Sequence, residues 1–345
     1  MPSTNEPMDR WNDARIVALR PPRNVVDPAR PYAFLVEPER TRAGTVEDTA
    51  VLFLTNRECP FRCLMCDLWK NTTEQRVPTG AIAAQIEYAL ARLRASGFTP
   101  EGRHIKLYNA GNFFDAQAIP PADWPRIASL VNSFQTVIIE CHPRLIDRRC
   151  LAFRGLLRRL EKGTGPVTLG VPSPFPDGPA LEVAMGLETV HPDVLRRLNK
   201  RMTLADFAGA AQFLREHEIA VRAFILLRPP FLSEEDGVHW AKESIRFAFD
   251  VGVECCVVIP TRTGNGAMEE LQRQGHFTPP RLESLEEVLD YGIGLRRGRV
   301  FADLWDVERF FTCQRCGPMR ARRMKAMNLT QAPQPAVVCS CEGGR

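Results

Sequence analysis

The sequence predicts an α/β fold built on a parallel sheet, and three observations predict it. Six short apolar runs recur along the middle of the chain, at 51–55, 105–109, 136–140, 182–187, 221–227 and 254–260. Longer stretches of helical period separate them, at 79–96, 145–162, 203–217 and 234–250. After Gly264 the strand rhythm stops. Strands that alternate with helices pair in parallel through right-handed crossovers, which suits six βα units over about 210 residues. Periodicity alone leaves open whether such a sheet stays flat or curls into an open barrel.

The elements then divide the chain. Residues 1–48 are rich in Pro, Arg and Asp without a sustained period and read as an N-terminal extension. Residues 49–265 form the repeating core. Thr79 and Ser233 stand where a hydroxyl can accept from the free N–H groups of a helix start, and both read as N-caps. Residues 266–345 form a C-terminal segment with one helical stretch, 281–297, and a Cys-rich basic tail at 313–341.

Composition excludes some classes. With 44% apolar and 25% charged residues, the chain can build a core and is not disordered overall. A net charge of +4 permits nucleic-acid contact without demanding it. No apolar run approaches the ~18 residues of a membrane span. The polar start, with Asp9, Arg10 and Asp13, lacks an apolar signal region, so a cytoplasmic protein without a membrane partner is expected. Eleven cysteines in that compartment point to metal or redox chemistry, and an odd count fits a disulfide framework poorly.

The sharpest motif is Cys59-Pro60-Phe61-Arg62-Cys63-Leu64-Met65-Cys66, on a loop directly after the first strand. Three thiolates in a C-x₃-C-x₂-C run can hold three irons of a 4Fe–4S cluster and leave the fourth free for a small molecule. Three structural or zinc cysteines are the alternative. In parallel α/β folds, ligands sit outside the carboxyl ends of the strands. The polar residues at those ends are Asn109 to Asn112, Glu140 and Glu188; taken singly, either carboxylate also reads as a solvated strand end. Arg222 alternates with the apolar face of the fifth strand and points either into a lumen or at a helix. Lys106, Tyr108 and His142 are further lumen candidates. Arg196, Arg197, Lys200 and Arg201 read as a solvated helix face.

The motif Cys59/Cys63/Cys66 resembles that of the radical S-adenosylmethionine (SAM) superfamily, with Met65 where an aromatic residue is common. The resemblance implies a partial (β/α)6 barrel, a 4Fe–4S cluster and SAM as cofactors, and reductive SAM cleavage to a 5′-deoxyadenosyl radical. The loop Leu107-Tyr108-Asn109-Ala110-Gly111-Asn112-Phe113-Phe114-Asp115 is similar to the one that binds the SAM amino group. Glu140-Cys141-His142-Pro143-Arg144 and Met185-Gly186-Leu187-Glu188-Thr189 resemble strand ends of the Elongator-catalytic-subunit and methylthiotransferase-like branch, where the Glu contacts SAM. The resemblance also lets Arg222 pair with the SAM carboxylate. With Leu198-Asn199-Lys200-Arg201-Met202-Thr203 and Leu226-Leu227-Arg228-Pro229-Pro230-Phe231, these segments resemble the family of the radical SAM subunit of archaeosine synthase and its relatives. That likeness covers roughly residues 50–345. It implies carbon–nitrogen cleavage on a modified tRNA base, a partner enzyme supplying that base, and a reductant such as flavodoxin or ferredoxin. Cys141-His142 departs from the smaller residues usual there, which places the substrate in question.

A second cluster, Cys313-x₂-Cys316 and Cys339-x-Cys341, reads as a four-cysteine site for zinc, with an auxiliary Fe–S cluster or no metal as alternatives. The loop between the pairs carries Arg320, Arg322, Arg323 and Lys325, either a phosphate contact or a solvated loop. Cys141, Cys150, Cys255 and Cys256 read as buried fillers, Cys141 also as a reactive thiol beside the site. A radical SAM enzyme on tRNA is therefore expected first, one on a small molecule or protein second, and a non-catalytic metal-binding nucleic-acid protein third. A methylthiotransferase and an Elongator-type acetyltransferase are disfavoured for want of room for their additional domains.

Overall fold

The computed structural model describes residues 11–159 and 177–343. One sheet of eight strands organises them, in sequential order: β1 (Ala33–Arg40), β2 (Val46–Leu54), β3 (His104–Asn109), β4 (Thr136–Glu140), β5 (Ala180–Glu188), β6 (Ala220–Leu227), β7 (Cys255–Pro260) and β8 (Arg299–Ala302). β1 runs antiparallel to β2, and every later pair is parallel. The sheet curls into a half-barrel with β1 and β8 as its edges. The helices are α1 (Asp13–Ala18), α2 (Ala81–Ala95), α3 (Trp124–Leu130), α4 (Arg148–Arg159), α5 (Pro192–Arg197), α6 (Leu204–Glu216), α7 (Glu234–Asp250), α8 (Ala267–Arg273), α9 (Leu282–Gly294) and α10 (Cys316–Thr330).

The six expected strands are β2 to β7, and the expected helices are α2, α4, α6, α7 and α9. Residues 160–162 of the second helical stretch lie outside the described residues. β1 and β8 are additions, one within the extension and one after Gly264. Ser233 caps α7 as expected, accepting from Asp236 N at 3.0 Å. Thr79 does not cap α2: Gly80 takes that place at φ 92°, a left-handed conformation glycine adopts freely, and its N–H donates to Asp123 Oδ1 at 2.7 Å.

Period-two alternation assigns the two faces of the sheet. Leu52, Leu54, Ile105, Leu107, Val137, Ile139, Val183, Met185, Val221, Ala223 and Ile225 belong to one buried apolar core under the helices. A one-residue slip would turn these side chains into the lumen, so the register is strongly specified. The alternate residues face inward in layers. Near the strand starts, Arg222 Nε donates to Glu182 Oε1 at 2.6 Å, and its other nitrogens donate to both oxygens of Glu39 at 2.6 and 3.1 Å. Lys106 Nζ lies 2.5 Å from Glu39 and 2.7 Å from Glu37; Arg299 lies 3.3 Å from Glu182. Burial opposes ionisation of Glu39, but Arg222 and Lys106 outweigh it and hold the carboxyl below its ordinary range. Above this layer Tyr108 packs against Phe53 and Phe224, with ring centroids 6.3 and 6.0 Å apart.

The stretch expected as a basic loop is helix α10. Arg320 pairs with Glu286, and Arg323 lies 2.8 Å from Asp290; both side chains are buried, because α10 packs on the acidic face of α9. Arg322 and Lys325 remain exposed. At its far end α10 covers the edge of β8 with side-chain amides. Asn328 exchanges two hydrogen bonds of 2.9 Å with the backbone of Ala302, and Gln331 bonds Val300 N at 2.8 Å and Val300 O at 2.9 Å. Among the described residues, no helix is long and apolar enough to cross a membrane.

Candidate functional site

The cysteine loop leaves the end of β2 and is held from several sides. Asn199 Nδ2 donates to Arg62 O at 2.7 Å and to Asp13 Oδ1 at 2.9 Å. Asn265 Nδ2 donates to Leu64 O at 2.8 Å and Cys66 O at 3.1 Å, and Trp69 Nε1 donates to Cys66 O at 3.1 Å. Glu58 gathers Arg20 at 2.7 Å, Arg62 at 2.9 Å and Arg23. Asn199 and Glu188 adopt left-handed backbone at φ 52° and 65°. For non-glycine residues such conformations persist only where the surroundings hold them, as at functional sites.

Cys59, Cys63 and Cys66 are free thiols drawn together by this loop. Burial pushes each of them up to about 12, and each also feels the charge of another of the three. Three thiolates in a C-x₃-C-x₂-C loop fit a multi-iron cluster, which gives each sulfur its own iron. Asn112 adds to that fit: its Nδ2 donates to Cys59 Sγ at 3.3 Å, and its Oδ1 accepts from His142 N at 2.7 Å. Hydrogen bonds to ligand sulfurs tune such centres.

Polar residues at the carboxyl ends of β3, β4 and β5 lie near these thiols. Asn109 is buried with neither its Oδ1 nor its Nδ2 hydrogen bonded, while Ala110 and Asn112 are buried and Gly111 half-buried beside it. An unspent buried amide is costly and points to an outside partner. Glu140 ends β4; burial pushes its carboxyl up to about 8, against the pull of Lys200. Glu188 ends β5 and accepts from Lys200 Nζ at 2.6 Å, both side chains buried. Burial opposes the charge on Lys200, but Glu188 offsets this and holds the ammonium above its ordinary value. Gly186 makes room for the pair, since a Cβ there would lie 2.1 Å from Glu188 Oε1 and 2.5 Å from Lys200 Nζ. His142 stacks on Phe61 with centroids 3.8 Å apart, and its Nε2 lies 3.0 Å from Lys200 O. Burial and the Lys200 charge push its imidazole down to about 3, so it is neutral.

Two sequence expectations need correction. Arg222 does face the lumen, but at the level of the strand starts, with its guanidinium engaged by Glu39 and Glu182; no part of it joins the strand-end cluster. Lys200 is not on a solvated helix face but in the connection between α5 and α6, 7% exposed. A signal for this was present: Thr203 and Asp206 form a capping box, which starts a helix after residue 200. Cys141, Cys150, Cys255 and Cys256 are buried, as expected of fillers. A cavity of about 100 Å³ beside the loop is lined by Met65, Asp67, Leu226, Ile259 and Asn265. A larger cleft of about 520 Å³ between Arg228, Pro279 and Phe311 shares no lining residue with the cysteine loop.

No family model matches the chain. It is 28% identical to archaeosine synthase subunit beta of Thermococcus kodakarensis, over 66% of this chain and 65% of that protein. It is 26% identical to the same subunit of Methanosarcina acetivorans, over 81% of this chain and 77% of that one. The archaeal Elp3 of Methanocaldococcus infernus, solved with an N-terminal deletion, has the same fold at a TM-score of 0.50 and 16% identity, covering 71% of this chain and 59% of its own. These likenesses support the radical SAM superfamily that the cysteine motif resembles. The three thiols of the loop lie beside the polar end of β3, where Asn112 meets Cys59.

Proposed function

We propose that this chain is a radical SAM enzyme that modifies a base in tRNA by carbon–nitrogen cleavage, as the archaeosine synthase resemblance implies. The observation that carries the reading is the grouping of three thiols with an unsatisfied Asn109 and the Glu140–Glu188–Lys200 cluster at one end of the barrel. Cys59, Cys63 and Cys66 hold a 4Fe–4S cluster, and the residues from Asn109 to Asn112, with Glu140 and Glu188, bind SAM. What a cluster held there supplies is a single low-potential electron for SAM cleavage. Asn112 stabilises the Cys59 thiolate by its N–H, Lys200 fixes the Glu188 carboxylate, and the stacked Phe61 and His142 keep water from one flank. Flavodoxin or ferredoxin is the reductant, and a partner subunit supplies the modified base.

A small-molecule or protein substrate is the second reading. It is favoured by one observation: Arg320 and Arg323, the expected phosphate contacts, are buried in ion pairs. The test is anaerobic reconstitution, reduction in the presence of SAM, and assay of 5′-deoxyadenosine with and without bulk tRNA. Wild-type protein yields 5′-deoxyadenosine and Cys63→Ala yields none. A Cys63→Ala protein that still cleaves SAM overturns the assignment. Gel shifts with tRNA at two salt concentrations separate the substrates, because phosphate contacts make affinity fall steeply with salt. No shift at low salt leaves the small-molecule or protein reading.

A further inference from the structure

The four C-terminal cysteines lie outside the radical SAM site and have no part in it. We propose that Cys313, Cys316, Cys339 and Cys341 hold one mononuclear, zinc-type divalent cation that fastens the tail onto α10. Their sulfurs all lie within 4.8 Å of one another, and Cys316 Sγ is 3.6 Å from Cys341 Sγ. Four thiolates on a tetrahedral ion at ~2.3 Å stand ~3.8 Å apart, which the Cys316–Cys341 separation approaches and the 4.8 Å bound on the set allows. A disulfide requires ~2.05 Å and joins sulfurs in pairs, whereas these four converge as one set. An auxiliary 4Fe–4S cluster places each thiolate on its own iron, further apart than this.

The two pairs approach from segments remote in sequence. Cys313 and Cys316 bracket the turn into α10, closed by Gly317 N donating to Cys313 O at 2.9 Å. That turn packs tightly, since a Cβ on Gly317 would lie 2.6 Å from the ring of Phe311. Cys339 and Cys341 flank the start of the final turn, Ser340–Gly343.

A second observation is independent of the sulfurs. Residues 332–341 contain no buried side chain, and Val338 is 88% exposed. The tail nevertheless lies along α10, where Arg323 donates to the carbonyls of Gln334 and Pro335 at 2.8 to 3.1 Å. A segment without a core needs another source of folding free energy, and a metal supplies it. Sulfur-only ligands in a closed set of four leave no open position, which marks the ion as structural.

The test is metal analysis of the full chain produced in zinc-containing medium. A Cys59→Ala/Cys63→Ala/Cys66→Ala variant, which lacks the other thiol site, is expected to retain one zinc and no iron. Adding Cys316→Ser and Cys341→Ser is expected to remove that zinc and expose 332–338 to protease. If the serine variants do not fold, wild-type chain produced with cobalt decides the matter, since tetrathiolate Co(II) has its own charge-transfer and ligand-field spectrum. Iron and sulfide in the triple-alanine variant, paired disulfides by mass spectrometry, or cobalt without thiolate coordination would each overturn the proposal.

Discussion

Gly186→Ala is the sharpest probe of the strand-end cluster. The backbone at 186 is not left-handed, so alanine meets no conformational penalty there. Its Cβ, however, would sit 2.1 Å from Glu188 Oε1 and 2.5 Å from Lys200 Nζ. Ordinary heavy-atom contact is ~3.5 Å, so the two charged groups must each retreat by about 1 Å or more. Breaking a buried pair costs ~3–5 kcal/mol, and the lower figure applies because both side-chain ends can shift together. With an unfolding entropy of ~2.1 cal/mol/K per residue, about 3 kcal/mol lowers Tm by about 4 °C in a chain of this size. SAM affinity should fall as well, by roughly tenfold or more, the equivalent of a weakened charged hydrogen bond at Glu188. Anaerobic thermal unfolding and calorimetric SAM titration measure the two effects. Gly209→Ala in α6 is the control: its Cβ meets nothing within 4 Å, and the change should stabilise by up to ~1 kcal/mol. If Gly186→Ala matches Gly209→Ala in Tm and binds SAM like wild type, the packing argument for the pair is refuted.

Three further outcomes are expected. Asn112→Ala removes the N–H on Cys59 Sγ, so the cluster's reduction potential should become more negative in an EPR-monitored titration; an unchanged potential would place the amide elsewhere. Burial raises the folded Glu140 carboxyl to about 8, while unfolded it titrates near ~4.3. The folded chain then binds more protons in that interval, and stability falls as pH rises. In cluster-free protein, Glu140→Gln should remove about 1 kcal/mol of that loss between about pH 6.5 and about 7.5, read by denaturant unfolding; parallel curves for the two proteins would contradict it. Ser233→Ala should cost ~1 kcal/mol through loss of the α7 cap, while Thr79→Ala, which caps nothing, should fall within ~0.5 kcal/mol of wild type.

The six core strands were legible because they are apolar runs set between helical stretches. β1 was hidden by the charges it carries. Glu37 and Glu39 share one face of the strand and meet Lys106 and Arg222 across the lumen, so polarity that suggested solvent belongs to an interior. β8, with four residues, is too short to show a period. At the site, the thiols and the residues ending β3, β4 and β5 could be read from motif and position. For Lys200 the Thr203/Asp206 capping box marks a helix start after it, but its burial is hidden, because Arg196 and Arg201 beside it do reach solvent and its backbone turn brings it inward. Arg320 and Arg323 were misplaced for the same reason. A basic run looks solvated until the acidic face of α9 is set against it.

The layer of ions at the strand starts has a consequence for traffic. Arg222, Lys106, Arg299, Glu39 and Glu182 stop the lower lumen as a floor stops a cup, with the aromatic ring of Phe53, Tyr108 and Phe224 as a second seal above. Moving any of these charges aside would strand its partners in a dry interior, so the floor does not open for a passing molecule. The floor closes the end of the lumen opposite the rim that carries the cysteine loop.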